Sequence, residues 1–158
     1  MIPKVVFDHP DFVVLDKPAG FLVHGGEPSL LEYVREQFPN DEASPVHRLD
    51  KETSGLVLFA THPRAASAFG SLMESHLIDK MYVALAGKNS KKKQGWIVGD
   101  MVKARNGSYR LLREKNNPAR TFAMSVGVID THRLWLLRPV TGKTHQLRVA
   151  LKSLSSPI

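Results

Sequence analysis

Between Lys80 and Val140 one strand-like run follows another: "KMYVALAG", "GWIVGDMV", "SYRLLRE", "ARTFAMSVGVI" and "HRLWLLRPV". Few segments among them have the length or period of a crossover helix, and parallel neighbours need such crossovers. Upstream, "KVVF" and "DFVVLDKP" are two further short strands, the second stopped by Pro18 and Gly20. "GLVLFA" (residues 55–60) is a continuous apolar run of strand length, expected to be buried on both faces. Two helices early and many strands after them define an α+β fold, a mixed, mainly antiparallel sheet with flanking helices.

The helices carry their own signals. Ser29 to Phe38 opens with the capping box Ser29 and Glu32, places Leu30, Leu31, Val34 and Phe38 on one face, and is ended by Pro39-Asn40. "THPRAASAFGSLMESHL" is a second helix with Thr61 as N-cap, Pro63 in the first turn, and Ala66, Phe69, Met73 and Leu77 facing inward. A last helix is expected to be capped by Thr144 and to carry "HQLRVALKSL". "KNSKKKQG" is a solvated loop. No repeat, low-complexity tract or linker interrupts the chain, so residues 1–158 are expected to form one domain.

Composition narrows the class. A chain of 158 residues with 42% apolar content can enclose a core. No run reaches the roughly 18–20 apolar residues of a membrane helix, and the N-terminus lacks a secretory layout. The absence of cysteine excludes disulfide and thiolate chemistry. A cytoplasmic protein is expected, with monomer as the default state and no membrane partner. Charge is divided: residues 1–79 hold 6 Lys+Arg and 12 Asp+Glu, whereas residues 80–158 hold 16 and 3. That asymmetry points to an acidic partner, and basic residues interleaved with aromatic ones suit RNA, although a solvated basic face is the plainer account of charge alone.

Several chemistries lack a framework. "TGKT" (141–144) resembles the end of a phosphate-binding loop, but the first glycine that loop needs would fall at Leu137. The seven histidines show no helical His-x-x-x-His pair, so no metal site is expected. Asp50 and Glu52, two apart on a short turn, do not suit a glycosidase pair. Asp50 itself sits between Arg48 and Lys51 in "PVHRLDKETSGLVLFA". In an extended segment Arg48 and Asp50 share a face and His47 and Leu49 take the other. A neighbouring guanidinium keeps such a carboxylate ionised, as a nucleophile requires, although a structural ion pair is the simpler reading of that stretch alone. "LRPVTGKTHQLRVAL" adds a helix start bearing His145, Gln146 and Arg148, the last placed to supply a cation to Asp50.

Together these segments resemble the RluA-type pseudouridine synthases, which isomerise uridine in ribosomal and transfer RNA. "HRLDKETSGLVLFA" (47–60) looks like the family's signature, "DKMYVALAGK" (79–88) like its Lys-x-Tyr strand, and "RPVTGKTHQLRVAL" (138–151) like its Thr-Gly-Arg-Thr-His-Gln-Leu-Arg segment. "DFVVLDKPAGFLVHGG" (11–26) is similar to its opening strand and Lys-Pro-x-Gly turn. The resemblance implies the pseudouridine synthase catalytic fold over residues 1–158, with no metal or other cofactor. It implies Asp50 as catalytic nucleophile, Tyr82 against the uracil ring, and Arg148 as the partner that holds Asp50. Arg48, His47, Lys143, His145 and Leu147 are implied as RNA or base contacts, Leu147 as part of the apolar pocket wall. His47, Thr53, Ser54 and Gly55 would also shape the Asp50 loop. Attack at the anomeric carbon, attack at the pyrimidine ring and glycal formation all remain open.

Two departures accompany the resemblance. Lys143 stands where the family more often has Arg, which keeps the charge and loses the bidentate fork. The sequence stops at "LKSLSSPI", where family members continue, so a C-terminally incomplete domain without an S4-type RNA-binding module is expected. The alternative function is an RNA-binding domain or RNA chaperone without catalysis, and a third is a glycosidase or base-excision enzyme that would release free base.

Overall fold

The computed structural model describes residues 2–37, 42–87 and 89–158. It divides into two compact units, Met1–Leu77 and Ile78–Ile158, beside the point where the charge of the chain changes sign. The architecture is α+β with antiparallel sheets and few helices, as expected. Among the described residues no helix is long and apolar enough to cross a membrane.

In the first unit β1 (Lys4–His9) and β2 (Phe12–Lys17) form a hairpin. β2 pairs antiparallel with β4 (Gly55–Ala60), Phe12 opposite Ala60 and Lys17 opposite Gly55. The short β3 (Ser44–Pro45) completes the order β1-β2-β4-β3. Strand alternation buries Val13 and Leu15 of β2 and Val57 and Phe59 of β4 completely. β4 therefore departs from the expectation of two buried faces: Leu56, out of phase with Val57 and Phe59, is 58% exposed. Helix α1 (Leu30–Gln37) buries Leu30 and Val34, and the Ser29 hydroxyl accepts the Glu32 N–H at 3.3 Å as the capping box predicts. Phe38, Pro39 and Asn40, expected to close this helix, lie outside the described residues.

Helix α2 (Pro63–Glu74) is capped one residue later than the sequence suggests. The Thr61 hydroxyl instead donates to the Pro10 carbonyl at 2.6 Å, and His62 Nδ1 takes the Ala65 N–H at 3.2 Å. Its inward stripe is also thinner than expected. Ala65 is the buried position, Ala66, Phe69 and Met73 are half-buried, and Leu77 is 71% exposed. The helix has ended at Glu74, and His76 at φ 55° turns the chain out of the helical path before Leu77.

In the second unit β5 (Tyr82–Gly87), β6 (Gln94–Gly99), β9 (Ala119–Ile129) and β10 (His132–Pro139) form a four-stranded antiparallel sheet in the order β5-β10-β9-β6. Lys88 of the expected lysine-rich loop lies outside the described residues, and Lys91 to Lys93 are exposed. Trp135 and Leu137 of β10, Ala86, Ala123 and Ile97 meet Ala150, Leu151 and Leu154 in one apolar cluster. The last three belong to α3 (Gln146–Ser153) and the residue that ends it. "GWIVGDMV" is not one strand: it breaks at Asp100, and β7 (Met101–Lys103) pairs instead with β8 (Tyr109–Leu111) as a separate ribbon. The break has two causes. The carboxylate of Asp100 accepts the Asn116 and Asn117 N–H groups at 3.0 and 2.9 Å. A Cβ on Gly99 would stand 2.1 Å from the Leu112 carbonyl oxygen, so only glycine passes this corner.

The β1–β2 turn of the first unit is fastened to the start of α2 by Asp11, which accepts from Thr61 N–H at 3.1 Å and pairs with His62 Nε2 at 3.0 Å. The His62 hydrogen bond, helped by the charges of His9, His62 and Arg64, holds the Asp11 carboxyl below its ordinary value of 3.8. A depressed carboxyl contributes stability above its unfolded value and loses it as the pH falls through the folded one. Thermal midpoints of the wild type and Asp11→Asn should therefore differ above pH 3.8 and converge below it; an offset that persists unchanged into acid would contradict this account.

Candidate active site

Asp50 is half-buried in a tight turn of the first unit, closed by the Thr53 N–H on the Asp50 carbonyl at 3.0 Å. Leu49 beside it is buried and Arg48 is exposed. His47 is turned inward, its Nε2 accepting the Leu58 N–H of β4 at 3.3 Å. Gly55, where the turn enters β4, has φ 130°, a conformation that side chains rarely tolerate.

What holds this turn is a residue to which the sequence reading assigned no role. Lys17, last on β2, is fully buried, and its ammonium donates to the carbonyls of Pro18 at 3.1 Å, Phe21 at 2.7 Å and Lys51 at 2.9 Å. The Lys51 carbonyl, one residue past Asp50, also accepts the Gly20 N–H at 2.9 Å. The opening Lys-Pro-x-Gly turn and the Asp50 turn are thus joined through one cation. Burial pushes the Lys17 ammonium below its ordinary range, and the negative charges of Glu52 and Asp50 partly oppose that. Three charge-assisted bonds to carbonyls compensate the desolvation.

The remaining sequence-identified residues lie in the second unit. Tyr82 opens β5 opposite Leu137 and, half-buried, packs against the Trp135 cluster, as does Leu147 of α3. Arg148 is exposed on the first turn of α3. The helix does not use Thr144 as its cap: the N-cap position is His145, left-handed at φ 55° and without a side-chain cap bond. The His145 ring meets the edge of Tyr109 from β8 at 6.1 Å between centroids. Lys143 is half-buried, and its ammonium bonds the backbone carbonyl of Asn117 and, at 3.0 Å, its side-chain oxygen. It thereby supports the same turn that Asp100 holds from the other end. Lys80, the lysine of the Lys-x-Tyr stretch two residues before Tyr82, is another cation to which the sequence reading assigned no role. It is half-buried, burial lowers its pKa, and its ammonium lies beside Gly142.

The first unit holds a half-buried carboxyl in a pinned turn, and the second holds a half-buried tyrosine on an apolar cluster and a helix start that bears Arg148. The description RNA pseudouridylate synthase matches residues 11–153, and the chain belongs to that family, whose members are isomerases. An uncharacterized RNA pseudouridine synthase of Haemophilus influenzae is 48% identical over 98% of this chain and 70% of its own length. The dual-specificity RNA pseudouridine synthase RluA of Vibrio vulnificus is 31% identical over 98% of this chain and 66% of its own. Among solved structures, human RNA pseudouridylate synthase domain containing 4 superposes with a TM-score of 0.79 at 25% identity, covering 98% of this chain and 66% of that one. The RluA-type branch read from the motifs is the one these comparisons support, and the chain spans about two thirds of the length of two of the three.

Replacing Lys17 by Met keeps the volume of the stem but takes the ammonium from three carbonyls, of which that of Lys51 keeps the Gly20 N–H. The variant should lose about 3 kcal/mol in denaturant unfolding, the scale of buried acceptors left unpaired. A change in midpoint too small to measure would mean that the ammonium does not anchor the turn.

Proposed function

We propose that this chain is an RNA pseudouridine synthase that isomerises a uridine of ribosomal or transfer RNA by an aspartate-dependent reaction needing no cofactor. The observation that carries the reading is the family match over residues 11–153, a range that contains the segments around Asp50, Tyr82 and Arg148 that resemble the family's motifs.

The target uridine leaves its stack, at a cost of a few kcal/mol that basic and stacking contacts offset. Asp50, preset by its turn, acts as nucleophile, with Arg148 as the cation that the family resemblance implies for it. The glycosidic carbon–nitrogen bond breaks and the uracil turns within a pocket walled by Tyr82 and Leu147. A carbon–carbon bond to the same sugar forms as the bond made by Asp50 breaks and frees the carboxylate, the ring carbon gives up its proton with Tyr82 assisting, and the released nitrogen gains one. Atoms and electrons balance within the nucleotide, so no oxidant, reductant or second substrate enters. Arg48 and His145 meet the RNA backbone or the flipped base, and His47 steadies the Asp50 loop. Lys143 contributes through the Asn117 turn that it supports.

The test is conversion of RNA from cells lacking the modification, read as pseudouridine by mass spectrometry. Wild-type protein should form pseudouridine, and Asp50→Asn should lose on the order of 10³-fold or more in turnover while binding RNA as before. Turnover retained by Asp50→Asn would remove the carboxylate from the chemistry. RNA binding by the wild type without turnover would favour a binding or chaperone role, and free uracil among the products a glycosidase.

A further inference from the structure

The start of α3, which carries Leu147 and Arg148, lacks an ordinary cap. His145 occupies the N-cap position with no capping side-chain bond, and the Gln146 N–H goes to the Lys143 carbonyl at 3.1 Å, so the helix start is only as well ordered as the loop before it. The side chain of Gln146 holds that loop. This residue is 5% exposed, and its amide meets four partners. Its oxygen accepts the Thr141 hydroxyl at 2.8 Å and the Lys143 N–H at 3.0 Å. Its nitrogen donates to the Arg120 carbonyl at 3.1 Å and to Thr121 Oγ1 at 2.9 Å. Two donated and two accepted bonds are the full capacity of a carboxamide. The Thr141 hydroxyl in turn accepts the Arg120 N–H at 2.9 Å, so β9, the loop leaving β10 and the first turn of α3 meet at one buried group.

We propose that Gln146, seconded by Thr141, is a positioning residue for the synthase reaction: its amide fixes loop 141–145 and thereby the directions in which Leu147 and Arg148 leave the helix. This rests on the reading of the chain as a pseudouridine synthase. The chemistry admits few substitutes. An ionised glutamate cannot donate and would face the Arg120 carbonyl with negative charge. Methionine fills the space but leaves the Lys143 N–H and Arg120 carbonyl without this partner. Neither Gln146 nor Thr141 needs to touch RNA to act in this way.

The experiment compares Gln146→Met, Thr141→Val and Thr141→Ser with wild type, reading turnover, RNA affinity and amide hydrogen exchange by NMR. Gln146→Met should lose roughly 10²-fold in kcat, the effect of an ångström-scale misplacement, with RNA affinity within about twofold. Thr141→Val should fall in the same direction, and Thr141→Ser, which keeps the hydroxyl, should restore wild-type turnover. Exchange should quicken at the Lys143 N–H in Gln146→Met and at the Arg120 N–H in Thr141→Val. Wild-type kcat in folded Gln146→Met, a loss confined to KM, or equal losses in Thr141→Val and Thr141→Ser would overturn the proposal. If Gln146→Met does not fold, the two Thr141 variants decide. Wild-type protein inactive on every RNA would count against the synthase reading instead; exchange unchanged in the variants would then still overturn the role given to Gln146.

Discussion

The first unit depends on a positive charge that has been taken out of water. Lys17 terminates a strand whose other inward residues, Val13 and Leu15, are apolar, and alternation alone would put its side chain in the core. The chain answers by folding three carbonyls back over the ammonium, and two of them come from the Pro18–Phe21 turn. The third lies beside Asp50, so the cation that completes β2 also dictates where the carboxylate stands. Position and chemistry share one cause: an ammonium in the interior requires oxygen atoms around it, and the backbone must go where they are needed.

The second unit solves its own version of this problem with a neutral group. A carboxamide can join segments that each present one unpaired donor or acceptor, and Gln146 does so for β9, the loop after β10 and α3. Below it the apolar cluster around Trp135 gives the helix its seat, while the amide sets its starting point. Packing leaves some freedom along a helix axis; four directional bonds at one end remove it. Asp100 plays a similar part for the β7–β8 ribbon, where two backbone amides converge on one carboxylate and stop a strand that hydropathy would have continued.

Much of this was legible in the sequence, and the failures share a reason. Period-two patterning located β2, β9 and β10, and the motif segments around Asp50, Tyr82 and Arg148 led to the family. The misread features were those decided by partners far along the chain. Thr61 looked like a helix cap until Pro10, brought close by the β1–β2 turn, offered its hydroxyl a better acceptor. "GWIVGDMV" looked continuous because nothing local reveals that Asn116 and Asn117 will meet Asp100. Lys17 was given no role in the sequence, since its third acceptor lies 34 residues away. Gln146 passed as one member of a helix-start cluster because its four bonds reach two other segments, β9 and the loop after β10.

The coincidence between the charge reversal and the division of the chain into Met1–Leu77 and Ile78–Ile158 has a further meaning for traffic with a polymer. Screening in the cell confines such fields to about 8 Å, so each unit presents its own sign at close range instead of a blurred average. A phosphate close to the second unit therefore meets a net positive field, and one close to the first meets a net negative field that opposes indiscriminate adsorption.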